Sequence, residues 1–125
     1  MKGNLFRTFV IVFLGTISTL SSAGGRYANP PVGIVESQQL CIKALDAANA
    51  GDTAVALENA KQARKISLAS YKELSTMPME IASSSSKKAI ASLEAGNTAE
   101  AITELQHCKE KLTTEIEYYK SEGKL

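Results

Sequence analysis

The chain has 125 residues, with 14 Lys and Arg against 13 Asp and Glu, and 44% of it is hydrophobic. That near-neutral balance leaves no electrostatic footprint for nucleic acid, and no basic run is present that would hold the chain to an anionic membrane. The length suits one domain, which can bury a moderate core without a structural metal.

The N-terminus reads as an export signal. Lys2 and Arg7 precede an apolar run, Phe9-Val-Ile-Val-Phe-Leu14, that continues weakly to Leu20. Ser21-Ser22-Ala23 then supplies the small residues a signal peptidase reads, so residues 1–23 are expected to be a signal peptide cut after Ala23. A membrane anchor is the competing reading, but a spanning helix needs about 20 apolar residues and this run is shorter. No cysteine follows the small-residue stretch, which argues against a lipoprotein. Loss of Lys2 and Arg7 leaves slightly fewer basic than acidic residues. The expected location is periplasmic or secreted, with no membrane association after cleavage.

Residues 24–33 carry glycines and then Asn29-Pro30-Pro31, the composition of an extended, flexible arm. From Ile34 the apolar spacing becomes helical. Ile34, Gln38, Cys41, Leu45 and Ala48 step by four and three along one face, with Gln38 a polar intruder. Ile42 and Ala44 widen the stripe.

Ala50-Gly51-Asp52-Thr53-Ala54 ends this helix, and the same turn returns as Ala95-Gly96-Asn97-Thr98-Ala99, 45 residues later. Glycine takes the left-handed conformation that closes a helix, and Asp52 and Asn97 are short polar residues suited to cap the next one. Glu100, three residues after Asn97, approximates a capping box. The flanking segments run in register, Ala54–Ala60 against Ala99–Leu105.

A second helix is expected from about Thr53 to Leu74. Ala56, Ala60, Ala63, Ile66, Ser70 and Leu74 lie along its seam, and Leu57, Leu68 and Tyr71 lie on its shoulders. Lys61, Arg64, Lys65 and Lys72 fall mostly outside, as a solvated face would. Ser75-Thr76-Met77-Pro78 breaks the pattern, and a third helix is expected from about Pro78 to Ala95 with Met79, Ala82, Ser86, Ala89, Ile90 and Leu93 inward. Its run Ser83–Ser86 weakens it, because serine competes with the helix for backbone hydrogen bonds. A linker is the alternative there, but the apolar spacing continues through the run. The fourth helix, from about Thr98 to Lys120, has the cleanest stripe: Ala101, Leu105, Cys108, Leu112, Ile116 and Tyr119. Residues 121–125 form a tail.

The expected fold is therefore all-α: residues 34–120 as an up-down-up-down four-helix bundle of two similar hairpins joined by short loops.

The chemistry-bearing residues are few. Cys41 and Cys108 both sit on inward stripes, in helices that neighbour each other in such a bundle, at heights of roughly 15 and 18 Å above their turns. An even cysteine count in an exported chain favours a Cys41–Cys108 disulfide, with two buried free thiols as the alternative. His107 is the only histidine. With Glu104 it spells half of a di-iron site whose other half needs a second histidine, and both residues fall off the stripe, so a surface histidine is the simpler reading. No haem attachment motif, phosphate loop or nucleophile–base pair is present. Carboxylates such as Asp46, Glu58, Glu94, Glu100 and Glu115 are read as spread over outer faces, able to bind divalent ions weakly at most.

Gly51-Asp52-Thr53 followed by Leu57-Glu58-Asn59-Ala60-Lys61, and the looser copy after Gly96, resembles the small metal-binding proteins of ammonia-oxidising bacteria. The resemblance spans both hairpins. It implies an exported four-helix bundle and, in that family, surface histidines that bind divalent metals, notably copper. Here the corresponding positions hold Asp52, Asn59, Asn97 and Glu104, and imidazoles are what attract copper, nickel or zinc. No metal ligand is carried over, and His107 and Glu104 remain weak candidates. The turn sequence also resembles tetratricopeptide repeats, but their period of about 34 residues does not fit.

The expectation is a non-enzymatic binding or accessory protein with no cofactor and reduced metal affinity, whose partner is an unidentified protein or a metal ion, as monomer or dimer. A weak copper-type buffer using carboxylates and His107 is the alternative. A bundle enzyme or electron carrier with a bound cofactor is a third class, which a visible absorption spectrum would reveal.

Overall fold

The computed structural model describes residues 28–125; the expected signal peptide and the start of the 24–33 arm lie outside the described residues. Among them are four helices and no strand: α1 (Ile34–Asn49), α2 (Thr53–Glu73), α3 (Met77–Glu94) and α4 (Thr98–Ser121). Each helix packs on the next and α1 packs on α4, while α1 and α3 barely touch, so the four enclose one core as a bundle. None of these helices is long and apolar enough to cross a membrane.

The two glycine turns close alike. Gly51 and Gly96 take φ of 79° and 81°. The N–H of Asp52 donates to the carbonyl of Ala47 and that of Gly51 to Ala48; Asn97 donates to Ser92 and Gly96 to Leu93. This pair of bonds satisfies carbonyls that the helix end leaves open. The caps differ. The Asp52 carboxylate accepts from the Val55 N–H at 3.3 Å, whereas Asn97 makes no side-chain cap bond. The backbones at the two caps are nearly the same, so the difference lies in the side chains: only Asp52 brings its side-chain oxygen onto a first-turn N–H. The capping expected of Asn97 is thus corrected.

The core is made of small residues. Ala44, Ala48, Ala56, Ala60, Ala89 and Ala101 surround Leu45, Leu93 and Leu105 toward the glycine turns. Ile34, Leu40, Met79, Leu112 and Ile116 pack around the two cysteines toward the other end. Alanine and serine at the seams allow close helix approach but bury little apolar area per residue, which makes each large side chain matter more. Burial recurs at the 45-residue interval: Ile34 and Met79, Ala44 and Ala89, Ala56 and Ala101, Ala63 and Cys108 are all buried pairs.

Three details depart from the stripes read in the sequence. On α2, Ser67 is fully buried where Ile66 was expected, and its hydroxyl donates to the Ala63 carbonyl at 2.7 Å. Ile66 instead packs toward Gly33: a Cβ at Gly33 would lie 2.7 Å from Ile66 Cγ2. Leu74 is 50% exposed, because the backbone leaves the helix there in an extended conformation. Glu115 is buried rather than on an outer face, with its Oε1 3.7 Å from the Lys111 Nζ. The serine run, by contrast, is helix throughout, as its apolar spacing implies, with Ser83 Oγ donating to the Glu80 carbonyl at 3.0 Å and Ser85 and Ser86 buried.

Candidate functional site

Three places gather the residues singled out in the sequence. The first is the cysteine layer. Cys41 on α1 and Cys108 on α4 form a disulfide with a Cα–Cα distance of 6.3 Å, and both are fully buried. Four positions share this level of the core: Cys41, Cys108, Ala63 and Ser86, none with any exposed surface. Ser86 Oγ lies 4.0 Å from Cys41 Sγ. Close by, the expected polar intruder Gln38 finds a partner: its Nε2 donates to Thr113 Oγ1 on α4 at 3.1 Å, a second link across the α1–α4 seam. Enclosed on all sides by helix, the disulfide is a staple and not a surface redox centre.

The second place is a cleft of about 490 Å³ between α3 and α4. Glu104 and His107 both line it, one helical turn apart on α4. Glu80, Ser85 and Lys88 of α3 face them, with Met77 at one end. Glu104 is half-buried and His107 exposed. Sequence spacing placed Glu104 and His107 off the core stripe, and that holds. It did not show that α3 supplies Glu80 and Lys88 opposite them. The periodic signal was there, since Ile81, Ser85 and Lys88 follow helical steps, but which helix faces which is set by packing.

A copper site of the kind the resemblance implies needs several converging donors. Among the described residues no three His, Cys, Asp or Glu side chains come close enough to hold an ion. The donors here do not fit such a site.

The third place is the pair of turns. Gly51, Asp52, Gly96 and Asn97 are exposed and lie where one helix ends and the next begins.

Comparison with known protein families, curated proteins and solved structures finds no match to this chain.

Proposed function

We propose that this chain is an exported, non-enzymatic binding or accessory protein, working in the periplasm or outside the cell with reduced metal affinity. We read it as an up-down-up-down bundle built from two similar helical hairpins. The buried Cys41–Cys108 disulfide carries the proposal. Such bonds persist in oxidising compartments and are rare where thiols are kept reduced, which accords with the signal-like sequence at residues 1–23. The two matching turns and the burial repeat support the hairpin reading. The non-enzymatic part rests on the sequence, which offers no nucleophile–base pair and one histidine.

A second reading is favoured by one observation, that Glu104 and His107, one helical turn apart, line a single cleft. In that reading the protein buffers a divalent metal weakly. Calorimetric titration of the oxidised protein with Cu²⁺, beside a His107→Ala variant, separates the two. The first reading expects weak heat that the variant leaves unchanged. Saturable binding that is lost in the variant would overturn it in favour of metal buffering.

A further inference from the structure

We propose that the groove between α2 and α3 docks an acidic amphipathic helix of a protein partner. This inference deepens the binding-protein reading and rests on it.

On α2, Lys61, Arg64, Lys65 and Leu68 follow the spacing that brings side chains onto one helix face. Ile90 and Glu94 of α3 form the opposite wall, and the groove is an open one of about 570 Å³. Its floor is apolar: Leu68 and Ile90 are half-buried. Its rim is cationic: Lys61 and Lys65 are exposed and Arg64 is half-buried. Three cations therefore face one carboxylate, Glu94, and none of the three is ion-paired among the described residues. Apolar floor and surplus positive rim together are complementary to an apolar stripe flanked by Glu or Asp.

The shape selects a helix among anionic occupants. The α2 wall from Lys61 to Leu68 is about 10 Å long, two helical turns, which matches the anchor spacing of a helix laid in a groove. A small molecule would be covered on one side only, whereas small-molecule sites bury roughly 70–90% of their ligand. A membrane would need protruding apolar side chains. The large exposed ones, Val32, Leu74 and Met77 among them, are not among those lining this groove.

The test is amide-shift mapping on the oxidised protein with three synthetic peptides of equal length. One is an amphipathic helix with a Leu stripe and Glu flanks, one a scrambled version, and one has Lys in place of Glu; phosphatidylglycerol vesicles are a fourth arm. The acidic amphipathic peptide is expected to bind, with shifts centred on Arg64, Leu68 and Ile90. Binding should weaken with added salt and fall roughly tenfold in Lys61→Glu/Lys65→Glu. Both lysines are exposed, so this variant keeps the fold, which its melting curve checks. Absence of binding, equal binding of the scrambled or Lys peptide, indifference to the charge reversal, or binding of vesicles alone would each overturn the proposal. Its failure is distinct from failure of the export reading. A chain that is exported and oxidised but ignores every peptide loses only the groove; one that is cytoplasmic and reduced yet binds the acidic peptide loses only the compartment.

Discussion

Ser37 is the residue at which the packing carries an avoidable cost. Its hydroxyl is fully buried on α1 without a hydrogen-bond partner, and 45 residues on, the matching position is already Ala82, itself buried. A buried unpaired hydroxyl costs roughly 1–3 kcal/mol. Ser37→Ala is therefore expected to raise the unfolding free energy by about 1 kcal/mol in urea titration, with an unchanged slope. Gly33 is the opposite case. It enters α1 at φ +79°, and a methyl group there would meet Ile66. Gly33→Ala should destabilise by about 2 kcal/mol, combining left-handed strain with the clash. At this scale the sequence was only partly legible. Glu115 looked like an outer-face carboxylate because charge and helical spacing say nothing about a shoulder position that a neighbouring helix covers. Asn97 looked like a cap because residue type does not show where its amide goes.

The helices themselves were more legible, and α4 most of all: Ala101, Leu105, Cys108, Leu112, Ile116 and Tyr119 are all buried. Large apolar residues fix a helix face without ambiguity. On α2 the seam is alanine and serine, so the pattern could not tell Ser67 from Ile66. The matching turns suggest a sharper experiment on the hairpin reading. If α1–α2 and α3–α4 are equivalent, Ser86 and Ala63 stand where Cys41 and Cys108 stand in the other half. Transposing all four (Cys41→Ser, Ser86→Cys, Ala63→Cys, Cys108→Ala) should move the bridge to the α2–α3 seam. Alkylation with mass analysis should then find no free thiol; two free thiols in a folded, helical protein would contradict the repeat. Removing the native bridge outright by Cys41→Ala/Cys108→Ala frees a loop with a sequence separation of 67 and should cost about 4 kcal/mol from loop entropy.

For the molecule as a whole, the bundle and the disulfide follow from spacing, turn chemistry and an even cysteine count. Which grooves lie between the helices does not. The α2–α3 groove has Leu68 on one wall and Ile90 on the other, and the basic residues beside it read in the sequence as a solvated face. With a core this rich in alanine, the staple and the compartment that preserves it belong together. The central claim is that the chain leaves the cytoplasm and works oxidised, and intact-mass analysis of alkylated protein from separate cell fractions tests it most directly. The account predicts one species in the envelope or medium, beginning at Gly24 and carrying no alkylated cysteine. A full-length chain in the cytoplasm with both Cys41 and Cys108 alkylated would contradict it.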